Sequence, residues 1–230
     1  MTPSNLEILA YEHTELGPLC LRRRELLSSP GTVVTEITLD HEFLMSSRHT
    51  ASEEALAGVA LEMHPDSGLD VLVGGLGLGY TAQAALASPR VGRVEALELL
   101  PQVVDWLEEG LMPLSSVLQE DARFSVTQGD AYAFLMGPPE RSYDLILVDI
   151  DHAPDDRLGQ ADDSFYTAEG LRRARRHLAP GGVLGVWSWA ESSPFSRALE
   201  EVFDQVRVEP VTFFNDHVDE ERTDWLFFAT

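Results

Sequence analysis

From about Leu69 onward, short apolar runs alternate with stretches of helical period. "DVLVGG" reads as a buried strand and Tyr80–Ser88 as a helix. "VGRVEALEL" is a second strand, and "PQVVDWLEEG" opens a helix with proline in its first turn. "ARFSVTQGD" and "YDLILVDID" supply strands three and four, with the short segment "AYAFLM" between them. "TAEGLRRARRHLAPGG" predicts a helix closed by Pro-Gly-Gly, and "VLGVWSW" a fifth strand. "PFSRALEEVF" follows as a helix, and "QVRVEPVTFFN" and "RTDWLFFAT" close the pattern as an antiparallel pair.

This alternation predicts an α/β fold: a doubly wound, mostly parallel, seven-stranded Rossmann-like sheet with right-handed crossovers. Residues 1–50 differ. "LEILAYEH", "GPLCLRRREL", "GTVVTEITLD" and "HEFLMSS" are strand-like pieces separated by turn residues, which predict a small N-terminal β-hairpin region. "SEEALAGVALEMH" then forms a helix with Ser52 at its N-cap and acids in its first turn. The expected division is a β-strand region over 1–50 and a nucleotide-binding catalytic domain over 51–230.

Composition narrows the function classes. With 230 residues and 44% hydrophobic content, the chain can bury one good core. No apolar run approaches the roughly 20 residues that span a bilayer, and "MTPSNLEILAYEH" lacks the pattern of a signal peptide. Cys20 is the only cysteine, which fits a reducing cytoplasm and excludes disulfide staples and cysteine-rich metal sites. The formal charge of −23 repels nucleic acid and anionic membranes and draws cations. It permits a cationic amine or polyamine acceptor, and equally describes an acidic solvated surface.

Candidate chemistry gathers at the carboxyl ends of the strands, where open parallel sheets bind ligands. Gly75-Leu76-Gly77-Leu78-Gly79 matches the GxGxG turn of folds that hold S-adenosylmethionine-type nucleotides, and Gly77 to Ala82 matches GxGxxA. The first frame begins where the strand stops. Glu98, Asp130 and Asp149 end strands two, three and four. A carboxylate at Glu98 can accept both ribose hydroxyls, and Asp130, followed by Ala131, can receive an adenine amino group. Three acids at successive strand ends behind one glycine turn favour an adenosyl nucleotide over NAD.

The chain resembles the spermidine synthase family in "VLVGGLGLGYT", "VEALELLPQVVDW", "ARFSVTQGDAYAFL", "YDLILVDID" and "FYTAEGLRRARRHLAPGGVLGVWS". "ILAYEHTELGPLCL" is similar to that family's entry hairpin, so the resemblance covers most of residues 6–190. It implies a core of the class I S-adenosylmethionine-dependent methyltransferase type, a preceding β-strand domain and a homodimer. It also implies decarboxylated S-adenosylmethionine as aminopropyl donor, with Glu98 on the ribose, Asp130 on the adenine and Asp149 on the attacking amine. Three segments depart from the family. Gly77 stands where the family's loop carries an aspartate, "HEFLMSSRHTASEEAL" replaces a Tyr-His-Glu segment, and Asp149-Ile150-Asp151-His152 replaces Asp-Ser-Ser-Asp-Pro.

Alkyl transfer from a sulfonium is an in-line displacement in a dry site. Asp149 can orient an amine and take its proton if Asp151 and burial raise its pKa. The run "DIDHAPDDRLGQADDSFY" places Asp151, Asp155, Asp156, Asp162 and Asp163 on one loop, which reads either as an acidic gate or as solvated carboxylates; no metal is expected there. His152 reads as a loop residue, and "RRARRH" as a solvated helix face. Of Trp187 and Trp189, one packs in the core and one faces the pocket. Arg48 and His49 can meet the donor's tail; an arginine there suits the carboxylate of intact S-adenosylmethionine and methyl transfer. Glu53 or Glu54 can instead replace the loop aspartate and restore aminopropyl transfer. A non-catalytic nucleotide-binding protein is the third reading.

Overall fold

The computed structural model describes residues 5–150, 163–215 and 220–230. Four strands come first: β1 (Leu6–Thr14), β2 (Gly17–Glu25), β3 (Val33–Leu39) and β4 (Glu42–Ser46). They form one antiparallel sheet in sequential order, so the predicted hairpin region is a four-stranded meander. Its inner polar group is Glu36, fully buried, which accepts from Arg22 Nε at 2.9 Å and Arg24 Nε at 2.7 Å. Two guanidiniums flanking one buried carboxylate fix the register of β2 on β3, because a one-residue slip would leave that charge unpaired.

The remaining elements run α1 (Ala51–Met63), β5 (Leu69–Gly74), α2 (Tyr80–Leu86), β6 (Val91–Glu98), α3 (Pro101–Glu108), α4 (Ser115–Glu120), β7 (Phe124–Gln128), α5 (Ala131–Met136) and β8 (Tyr143–Val148). After a short turn of 3-10 helix (Asp163–Tyr166) come α6 (Ala168–Arg175), β9 (Leu178–Ser188), α7 (Ser193–Glu200), β10 (Val206–Asn215) and β11 (Glu220–Ala229). The large sheet has the order β10-β11-β9-β8-β5-β6-β7. Strands β5 to β9 pair in parallel, while β11 is antiparallel to both β9 and β10. The fold is therefore the predicted seven-stranded α/β sheet, and its reversal of strand order at β5 and β8 opens a crevice at their carboxyl ends.

One apolar core packs on each face. Leu56, Ala60, Val71, Val73, Leu78, Trp106 and Leu145 belong to one, joined by Leu19, Leu21 and Ile37 of the small sheet. Leu72, Ile146, Phe165, Phe195 and Phe227 belong to the other. Trp106 Nε1 donates to Glu12 Oε1 at 3.2 Å, adding a polar tie between the small sheet and α3.

Two local expectations are corrected. The helix over "TAEGLRRARRHLAPGG" ends at Arg175, and Leu178 to Gly182 already belong to β9, bulging before Val183 resumes the pairing with Leu145. Gly181 takes φ +81° and a Cβ on Gly182 would press against two carbonyl oxygens of β8, so the Gly-Gly pair shapes the bulge. Ser52 is not the N-cap of α1. Thr50 holds that position, its hydroxyl donates to Glu54, and Ser52 is turned inward. The basic run behaves as read: Arg172 and Arg173 pair with exposed Glu169 on the same helix face.

Candidate functional site

The turn after β5 is made by backbone. Gly75, Gly77 and Gly79 take φ of +91°, +51° and +92°, a region that side chains disfavour. A Cβ on Gly75 would collide with the carbonyl oxygen of Asp149, and one on Gly74 would meet Ala131 Cβ at 2.9 Å. Glycine is thus required where the turn passes under the ends of β8 and α5. Gly79 N-caps α2 in the left-handed region with no side-chain cap.

Glu98, at the end of β6, is buried and holds this turn. Its Oε2 accepts from Leu76 N at 2.9 Å and its Oε1 from Leu100 N at 2.9 Å. Burial raises its pKa, and the amides of Leu100, Leu76, Gly77 and Leu99 pull against that rise. Asp130 is exposed at the N-cap of α5, where its Oδ1 accepts from Ala133 N at 3.1 Å. The next residue, Ala131, is buried.

Across the turn lies an acidic wall. Asp149, just past β8, accepts the hydroxyl of Thr81 from the first turn of α2. Its pKa is pushed up to about 6, chiefly by burial and further by Asp224, against the pull of Thr81. Glu53, on the first turn of α1, is buried and pushed up to about 8 by burial first and then by Asp149. Asp224 of β11 is raised by burial, and donors on Ser52 and Trp187 oppose the rise. The Ser52 hydroxyl lies 2.9 Å from Glu53 Oε2 and 2.7 Å from Asp224 Oδ2. Among the described residues no His, Cys, Asp and Glu side chains form a metal-binding group.

The predicted residues thus separate. Glu53 stands with Asp149, whereas Glu54 is exposed. The neighbouring acid that lifts Asp149 is Asp224; Asp151, His152, Asp155, Asp156 and Asp162, and the side chain of Asp163, lie outside the described residues. Trp187 faces the acidic wall and Trp189 is exposed. His49 stacks on Phe213 at 4.9 Å between ring centroids, and Arg48 is exposed with its main-chain N–H on Ser46 Oγ. The space a side chain on Gly77 would fill is taken by the Met45 thioether from β4, which accepts from Leu78 N at 3.0 Å.

Sequence reasoning missed Asp224, Ser52, Thr81 and Met45 as parts of the site. Asp224 reads as one polar position ahead of "WLFFA", and only the strand order carries it across to α1.

No protein-family model matches the chain. It is 35% identical over 129 residues to polyamine aminopropyltransferase 2 of Streptomyces coelicolor, a match covering 54% of this chain and 23% of that protein. It is 31% identical over 116 residues to putrescine N-methyltransferase 2 of Nicotiana tabacum, covering 50% and 31%. The matched stretch is thus under a third of the length of either relative. The fold is that of the spermidine synthase from Thermotoga maritima, with a TM-score of 0.73, 18% identity, and coverage of 96% of this chain and 71% of that one. The resemblance to the spermidine synthase family therefore holds over about half the chain in sequence and nearly all of it in fold.

Proposed function

We propose that this chain transfers an aminopropyl group from decarboxylated S-adenosylmethionine to a small cationic amine or polyamine. The observation that carries this reading is the acidic wall of Glu53, Asp149 and Asp224 facing a glycine turn at the sheet's switch point. Gly75, Gly77, Gly79 and Glu98 hold the ribose side of the donor, Asp130 and Ala131 its adenine, and the acidic wall the acceptor. Resemblance to relatives named for aminopropyl transfer supports the same assignment.

In this reading the amine nitrogen attacks the carbon next to the sulfonium. A C–N bond forms, the C–S bond breaks, neutral methylthioadenosine leaves, and the proton shed by the new ammonium passes to Asp149. An aspartate held near 6 is a better match to an alkylamine, whose pKa is about 10.4, than one at its ordinary value. The chain acts as a homodimer in the cytoplasm with no nucleic-acid partner, in keeping with the family resemblance and the charge of −23.

A second reading, methyl transfer from intact S-adenosylmethionine, draws on the Met45 thioether at Gly77, a position that holds no carboxylate, and on the likeness to a putrescine N-methyltransferase. Calorimetry with both donors, followed by mass spectrometry of the acceptor, separates the two. Tighter binding of the decarboxylated donor and an added aminopropyl group are expected. A methylated acceptor would replace the first reading by the second. Silence with both donors and with methylthioadenosine would leave a non-catalytic protein.

A further inference from the structure

Ser52 offers one hydroxyl proton to two carboxyl groups, Glu53 at 2.9 Å and Asp224 at 2.7 Å. One proton satisfies one acceptor. The other contact is a hydrogen bond only if that carboxyl carries a proton of its own and donates it to Ser52 Oγ; an ionised oxygen there would face a lone pair. The geometry therefore favours one bound proton on the Glu53–Asp224 pair. Glu53 is the more deeply buried partner, while Asp224 also has the Trp187 indole close enough to favour its charged form. Trp187 Nε1 is buried and aimed toward Asp224 without forming a well-aligned hydrogen bond.

We propose that Ser52 and its two flanking carboxyl groups form a proton store that an alkylammonium displaces, with Asp224 the positioning residue that keeps the stored proton on Glu53. The proposal rests on the amine-binding reading above. The exchange balances: a neutral carboxylic acid and an ammonium give a carboxylate–ammonium pair and one proton released to solvent. The groups that act on Glu53 are Asp149 beyond β8, Asp224 on β11 and Tyr80 on α2, while Glu54, next along its own helix, is exposed and His49 stacks on Phe213 of β10. All but Tyr80 and His49 are acidic, so an incoming cation is the group that relieves the site.

Two measurements test this. Infrared titration of the unliganded protein should show a protonated carboxyl lost near pH 8, absent in Glu53→Gln and shifted down by a unit or more in Asp224→Asn. In that second variant the amide donates to Ser52 Oγ, Ser52 gives its proton to Glu53, and Glu53 ionises. An unchanged midpoint in Asp224→Asn overturns the positioning role. Calorimetry at pH 7 in two buffers of different ionisation heat should find close to one proton released per 1,4-diaminobutane bound, with affinity rising about tenfold as pH is raised from 6 to 7. Glu53→Gln should bind the diamine with almost no release. Decarboxylated S-adenosylmethionine and methylthioadenosine serve as arms: release with the former but not the latter assigns the store to the donor's ammonium, and release with the diamine to the acceptor. Diamine binding without release overturns the store and leaves the amine reading standing. No heat from either alkylammonium overturns both.

Discussion

The two halves of the crevice are built by opposite means. The half we assign to the nucleotide, the glycine turn and Glu98, comes from one βαβ unit, and its contacts are mostly backbone: amides on a carboxylate, and positive φ at three glycines. The acidic half is assembled from side chains of α1, α2, β8 and β11, with Ser52 and Asp224 separated by 172 positions. A backbone site tolerates few residue types at its turn positions and writes a recognisable motif. A side-chain site needs only the right acids to arrive from anywhere, so its residues can change while its charge stays.

The sharpest way to break this comparison is Gly75→Ala. A Cβ there meets the carbonyl of Asp149 at an unfavourable φ, so a loss of at least about 3 kcal/mol of stability is expected, read as a fall in melting temperature together with lost methylthioadenosine binding. Normal stability would show that the turn is not backbone-constrained. Asp149→Asn should do the reverse. Turnover drops by roughly 10²–10⁴-fold while methylthioadenosine affinity stays within about threefold, because the lost group serves the proton and not the adenosine. Equal losses in both would merge the halves.

Acidity sharpens the contrast further. Glu53 and Asp149 have folded pKa values above their ordinary ones, so the folded chain binds extra protons between the two. Their contribution to stability is full below about pH 4 and is lost as pH rises through 6 and then 8. Unliganded protein should therefore lose up to about 1.4 kcal/mol per pH unit for each such group across that window. Glu53→Gln should flatten the upper part of the curve in thermal melts, and an unchanged slope would remove Glu53 from the account. The smallest effect belongs to Asp130→Asn. Asparagine caps helices as well as aspartate, so stability should stay within about 0.5 kcal/mol while methylthioadenosine binds several-fold more weakly. Unaltered binding would reduce Asp130 to a helix cap.

Much of the fold was legible because its signals are local. "DVLVGG" and "YDLILVD" are continuous apolar runs, as strands covered on both faces must be, and β10 and β11 pair as their short connection suggests. Pro180-Gly181-Gly182 misled because those residues mark a helix end and a strand bulge equally well. Ser52 misled for a similar reason: a serine ahead of two glutamates has the composition of an N-cap, yet the helix starts two residues earlier and packing turns the hydroxyl inward. In the site, Glu98 and Asp149 were visible as strand-end acids. Asp224 was not, since an acid at the polar end of an alternating strand looks the same whether solvent or another carboxylate lies opposite.

The antiparallel placement of β11 between β9 and β10 also orders events on the ribosome. Strands bearing the glycine turn, Glu98 and Asp149 emerge first and can pair with one another, whereas Asp224 follows several seconds later at ordinary elongation rates of about 5–20 residues per second. Until that strand slots in, Ser52 has one acid beside it and not two. On the proposed reading, a nascent chain thus completes its adenosine cradle before its acidic wall has all three carboxyl groups.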